Sequence, residues 1–245
     1  MSRTHIEFIQ QQDQPWIRNQ LTPGLPPLEY KLLSRDSDNG AFTALVRLES
    51  DWHLPVPVAY DTDVELFVIE GRMSVACNDD TYQLSPGGYL RIGRAVTWHD
   101  LQIHGKTKLM FMAAKKMLPT TFEKQSTGQT TYVDTEKMAW EIPWVTGPEP
   151  GLRIKLLYMD DTSGAYSRLI AADPGWTETR QEHHDCVEEV YMLSGDMTMG
   201  RLGTMTTGGY IWRPPMIKHG PMQTDEGGVM FIRTDGPLVN HYTNV

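Results

Sequence analysis

Gly175-Trp-Thr-Glu-Thr-Arg180-Gln-Glu182-His-His184-Asp-Cys-Val-Glu188-Glu-Val-Tyr-Met-Leu-Ser-Gly195 has a counterpart 124 residues upstream, Asp51-Trp-His-Leu-Pro-Val-Pro-Val58-Ala-Tyr60-Asp-Thr-Asp-Val64-Glu-Leu-Phe-Val-Ile-Glu-Gly71. Working outward, the match runs ungapped from Leu28–Gly71 against Leu152–Gly195, and 12 of these 44 positions are identical. Unrelated segments of ordinary composition would share about two or three. The identities include Lys31/Lys155, Gly40/Gly164, Trp52/Trp176, Asp61/Asp185 and Glu65/Glu189. Upstream, the same offset pairs Trp16 with Trp140 and Pro26 with Pro150. Downstream, Gly87-Gly88-Tyr89 meets Gly208-Gly209-Tyr210 at an offset of 121, so the second copy has lost three residues. A surface hairpin tolerates such a loss best. A repeat of this length predicts two homologous domains, 1–122 and 123–245, joined through the polar stretch from Pro119 to Glu136.

Each copy reads as short strands. Ala41 to Leu48 and Ala165 to Ala171 alternate, Glu65 to Ile69 and Glu189 to Leu193 are short apolar runs, and Gly, Pro, Asn and Asp fall between them. Long stretches of helical period are scarce, which predicts an all-β sandwich or barrel.

With 245 residues, of which 40% are hydrophobic, each copy has enough chain for a core of its own. A net charge of -9 without a run of Lys and Arg argues against nucleic-acid binding. Cys77 and Cys186 stand far apart and lack metal-site spacing, so neither a disulfide framework nor a cysteine zinc site is expected. Met1 to Gln12 does not read as a leader, and no apolar run approaches the ~20 residues of a membrane span. A reduced, cytoplasmic setting is therefore expected.

The stretch from Gly175 to Gly195 resembles the first cupin motif, and Gly209-Tyr-Ile-Trp-Arg-Pro-Pro-Met-Ile-Lys-His219 resembles the second. The resemblance covers nearly the whole chain and is to two-domain cupins, the C-terminal copy being similar to ChrR-like metal-binding cupin domains. It implies two tandem jelly-roll barrels. It also implies a metal site in which His184 is the second His of the His-x-His pattern, Glu188 the motif's Glu and His219 the last ligand. The first His of the pattern falls on Glu182. Two readings stay open: a site of Glu182, His184, Glu188 and His219, which we prefer, or three ligands with Glu182 holding a bound water.

The repeat supplies an internal control. Side chains alternate along a strand, so Arg180, Glu182 and His184 should share the inward face, with His183 outward and Glu188 returning from the next strand. Their counterparts in the first copy are Val56, Val58, Tyr60 and Val64, and His99 is taken as the counterpart of His219. An interior that is apolar in one copy thus carries acids, a base and an imidazole in the other. Buried unpaired carboxylates cost several kcal/mol each, and a divalent cation is the simplest compensator. Trp52 and Trp176, matched between the copies, are expected to pack rather than to touch substrate. Met192, Met197 and Met199 fit core filling or an apolar pocket wall.

His and carboxylate ligands suit iron(II), manganese, nickel or zinc, and an open coordination position would admit water, dioxygen or substrate. The resemblance implies iron(II) and a dioxygenase acting on a small diketone, hydroxyketone or phenol. Glu182 and Arg180 are the candidate catalytic residues, Arg180 either holding an anionic group or serving Glu182 as counter-ion. A non-redox isomerase or lyase and a metal-binding sensor are the alternatives. A small-molecule substrate, no nucleic acid, no membrane and a homodimer complete the expectation.

Overall fold

The computed structural model describes residues 3–120, 128–143 and 150–243. Among them the chain is all-β, its helices confined to the single 3-10 turns Gln11–Asp13 and Thr135–Lys137. It divides into two compact units, one made of residues 1–4 and 15–137, the other of 5–14 and 138–245. The expected boundary between residues 122 and 123 lies outside the described residues.

In the first unit a seven-stranded antiparallel sheet runs, in spatial order, Thr131–Asp134, Gly88–Ile92, Val64–Glu70, Thr107–Ala113, Phe42–Leu48, Leu28–Arg35 and Ile17–Asn19. A second sheet places Met73–Cys77 between Asp80–Leu84 and Trp98–Ile103. One apolar cluster fills the unit, drawing Val46, Val68 and Leu109 from the large sheet and Val75, Cys77 and Ile103 from the small one. Val64–Glu70 has a ladder on each edge and is almost wholly buried, which explains why it reads as a continuous apolar run rather than an alternation.

The second unit repeats this order. Its main sheet runs Ile6–Gln10, Gly209–Arg213, Glu188–Met199, Gly228–Thr234, Tyr166–Ala172 and Leu152–Met159. The long strand Glu188–Met199 pairs with Gly209–Arg213 and Gly228–Thr234 at its start, then with Thr204–Thr206 and Met222–Gln223 at its end. The short strand Gln181–His183 pairs with His241–Thr243. Each unit therefore takes its outermost strand from the segment that precedes the other sequence copy: Ile6–Gln10 lies on Gly209–Arg213, and Thr131–Asp134, which the offset of 124 matches to it, lies on Gly88–Ile92.

Two identities of the repeat are explained by the backbone. Asp36 Oδ1 accepts from the amides of Asp38 and Asn39, and Asp160 Oδ1 from those of Thr162 and Ser163, closing the same turn in both units. Gly71 and Gly195 have φ of 81° and 82°, and a Cβ on either would collide with a backbone carbonyl, of Lys106 and Gly227 respectively. Only glycine meets both demands.

Candidate metal centre

The centre is built in the second unit where three segments meet. Glu182 lies on the short strand Gln181–His183 and exchanges two backbone hydrogen bonds with His219, both of 2.9 Å. This places the two side chains together even though 37 residues separate them in sequence. His184 follows two residues after Glu182, on the same side of the strand, and Glu188 opens the strand Glu188–Met199. All four are buried. One ligand atom each from Glu182, His184 and His219 lies within 4.8 Å of the others. Glu188 completes the group, its carboxylate 3.8 Å from His184 Nε2 and 3.7 Å from His219 Nε2.

The state of the imidazoles shows what the centre is built for. His184 Nδ1 is 3.4 Å from the Val239 carbonyl and His219 Nδ1 3.1 Å from that of Ile217. A ring whose Nδ1–H donates to a carbonyl carries its lone pair on Nε2. Both Nε2 atoms are buried and have no hydrogen-bond partner. Glu182 Oε1 lies 4.0 Å from one and 3.4 Å from the other. Two orphaned lone pairs converging with two carboxylates are a donor set for a divalent cation, and the residues fit that group.

Burial lowers the pKa of His184, against the pull of Glu188 and Glu182. At His219 burial acts in the same direction, but the facing carboxylates outweigh it and raise the value. For Glu188 burial works upward, yet His219, Arg213 and His184 together hold the carboxyl at about 2. Arg213 is the direct partner: its Nη1 donates to Glu188 Oε2 at 2.8 Å, and its Nη2 to Glu7 Oε1 at 2.9 Å. Glu188 is thus anchored by one oxygen, with Oε1 left on the His184 side.

Several expectations need correction. Arg180 does not line the cavity beside the centre. The strand begins only at Gln181, so the alternation that would have turned Arg180 inward does not reach it. Its Nε instead donates to Glu178 Oε1 at 2.8 Å, its guanidinium lies 3.5 Å over the Tyr242 ring, and Glu178 is held below the usual carboxylate range by this hydrogen bond. Glu182 therefore has a different counter-group, His219. Nor is His99 the counterpart of His219. Val58 bridges Trp98 as Glu182 bridges His219, so the offset of 121 carries through and Trp98 holds the equivalent place. His99 is bonded to Asn78 and Asp100. His183 turns away from the centre and stacks on His241, ring centroids 5.0 Å apart.

Two cationic residues escaped the sequence reading. Arg213 and Arg168 are both buried and both line a cavity of about 90 Å³ next to the centre. The rest of that wall is mainly apolar, with Trp176, Met197, Met199 and Ile232 among its residues, so Trp176 borders the cavity as well as packing on the core. The repeat carried a signal for both arginines, because Arg168 aligns with Ala44 and Arg213 with Ile92.

An all-β unit with His and Glu side chains converging beside a small, mainly apolar cavity defines a β-sheet protein with a candidate metal centre. The chain belongs to the DUF4437 family, a domain of unknown function, whose model matches residues 7–241. Among solved structures it is similar to a dioxygenase candidate from Nostoc punctiforme PCC 73102, at 21% identity over 94% of this chain and 82% of that one, with a TM-score of 0.83. It is also similar to Ylba from E. coli, at 13% identity, 94% and 92% coverage and a TM-score of 0.66. A third is a salicylate 1,2-dioxygenase variant from Pseudoaminobacter salicylatoxidans in complex with gentisate, at 11% identity, 86% and 75% coverage and a TM-score of 0.61. At these identities the likeness speaks for the fold. No curated protein sequence matches this one. No helix among the described residues is long and apolar enough to cross a membrane.

Proposed function

We propose that the chain is a two-barrel cupin whose second barrel binds one divalent metal ion, iron(II) by preference, and acts as a dioxygenase on a small diketone, hydroxyketone or phenol. The observation that carries the reading is the pair of buried, unpartnered Nε2 atoms of His184 and His219, grouped with Glu182 and with Glu188 beside them. In this reading His184, His219 and Glu182 hold the ion and Glu188 Oε1 supplies the fourth donor. The bound ion would supply Lewis-acid and redox chemistry at the cavity wall. Arg213 orients Glu188 and joins the two imidazoles in holding it ionised, and the carbonyls of Val239 and Ile217 fix the imidazole tautomers. The apolar wall excludes water from the reacting group. The first barrel serves as structure, since Val58, Tyr60, Val64 and Trp98 leave it no donor set. A homodimer in the cytoplasm remains part of the proposal.

The test is elemental mass spectrometry of purified wild type, His219→Ala and Glu188→Ala after growth in iron-, manganese- and zinc-replete medium, followed by oxygen uptake against a panel of the three substrate classes. One equivalent of iron in wild type, little in the variants, and substrate-dependent oxygen uptake would support the reading. Metal with turnover but no oxygen uptake would replace it by isomerase or lyase chemistry. A wild type that takes up no metal, even on reconstitution, would overturn it.

A further inference from the structure

Arg168 stands in the strand Tyr166–Ala172, on the row Arg168, Ile232, Val190, Ile211 that crosses the sheet one inward step from the row of Glu188 and Arg213. Its side chain borders the cavity beside the metal centre. The residue is 2% exposed, and Nε and Nη1 are buried with no hydrogen-bond partner. The guanidinium rests over the Tyr166 ring, 4.8 Å from its centroid, which supports one face of the cation and satisfies no N–H. No carboxylate among the described residues lies within ion-pair distance of it.

A buried guanidinium without an acceptor costs several kcal/mol unless something supplies one. The neighbouring charges say what that group is. Glu188 and Glu7 both pair with Arg213, and together with Glu182 they set three negative charges against the four positive charges of Arg213, Arg168 and a divalent cation. Arg168 then keeps one positive charge that the protein does not answer. The remaining wall is mainly apolar, its polar members being Glu178, which is paired with Arg180, and Asn240, and the volume is about 90 Å³, which suits a compact body and a single anionic head. In the first unit the position is Ala44, fully buried in a continuous apolar core, so the fold itself does not require an arginine there.

We infer that Arg168 binds the carboxylate of a small, otherwise apolar organic acid, which presents its other end to the metal centre. The inference rests on the metal reading above and narrows its substrate class to monocarboxylates. A guanidinium matches a carboxylate through parallel N–H donors, and a single unanswered charge favours a monoanion over a phosphoryl dianion.

The experiment is calorimetric titration of zinc-loaded wild type, Arg168→Met and Arg168→Lys with butyrate, butyramide and methyl phosphate. Zinc content is measured in parallel and folding is checked by circular dichroism. Wild type should bind butyrate at least about tenfold more tightly than butyramide and more tightly than methyl phosphate. Arg168→Met should lose about 10- to 100-fold in butyrate affinity with zinc content unchanged, and Arg168→Lys should recover part of it. Equal affinity for butyrate and butyramide, or an Arg168→Met protein that keeps both zinc and butyrate affinity, would overturn the inference. Tighter binding of methyl phosphate would overturn the assignment to carboxylates. Should Arg168→Met fail to fold, the butyrate-to-butyramide ratio in wild type and Arg168→Lys decides. If wild type takes up no zinc, the titration is run on iron(II)- or manganese-loaded protein, and the metal reading fails on its own if none of the three ions is taken up. The same titration of the metal-free protein then decides whether an Arg168-dependent preference for butyrate survives.

Discussion

Trp98 holds in the first unit the place that His219 holds in the second, each bridged through its backbone to the residue that begins the site, Val58 or Glu182. The side chains that follow obey the same correspondence. Tyr60 packs edge-on against Trp98, centroids 5.6 Å apart, where His184 lies 5.0 Å from His219. One scaffold therefore carries an aromatic plug in one copy and a pair of candidate metal ligands in the other. It follows that a carboxylate placed in the first copy meets no compensating group. Val58→Glu should destabilise the protein by about 3–5 kcal/mol, read as a fall in chemical unfolding midpoint, because it buries an acid among Tyr60, Val64 and Trp98. A midpoint unchanged from wild type would contradict the apolar character assigned to this core.

Arg213 anchors the centre without being one of its ligands. Arg213→Met should weaken metal binding by about 10- to 100-fold, because Glu188 loses its 2.8 Å partner and one of the charges that hold it ionised. Competition with a chromophoric chelator measures this directly. An unchanged affinity would mean that Glu188 needs no anchor.

Metal removal should lower stability, since the ion would bind the folded state alone. At a free metal concentration about 100 times Kd the gain is ~2.7 kcal/mol. Differential scanning calorimetry should therefore show a lower Tm for wild type in chelator than in metal, and no such difference for His219→Ala. A shift of equal size in both proteins would place the binding elsewhere.

Gly195→Ala should cost at least ~2 kcal/mol, because the new Cβ meets the Gly227 carbonyl at a positive φ. Gly71→Ala should behave alike in the first unit, where the obstacle is the Lys106 carbonyl. Thermal unfolding of the two variants checks both, and a wild-type Tm for either would show that the turn can relax.

Much of this molecule could be read before any coordinates. The repeat gave the same pattern of short strands twice over, and the motif resemblance marked Glu182, His184 and Glu188 as positions to meet His219. Alternation along Gln181–His183 placed Glu182 and His183 as expected and carried on to His184, whereas Arg180, ahead of the strand, turns to Glu178. Arg168 and Arg213 were visible only as charged residues facing Ala44 and Ile92 across the repeat. A buried cation in a strand cannot be told from an exposed one until its neighbours are known.

The sequence by itself determined the all-β character and the doubled pattern of elements, and marked Glu182, His184, Glu188 and His219 as candidate donors, because these depend on side-chain type and on a period of two along a strand. Tertiary structure alone decided that Ile6–Gln10 and Thr131–Asp134 each complete the unit formed largely by the other copy, and that Trp98 rather than His99 answers His219. It also decided that Arg180 turns to Glu178 while Arg168 faces the cavity. Each of these depends on which distant strands pair and in what register, and cross-strand hydrogen bonds are made between backbone groups common to nearly every residue.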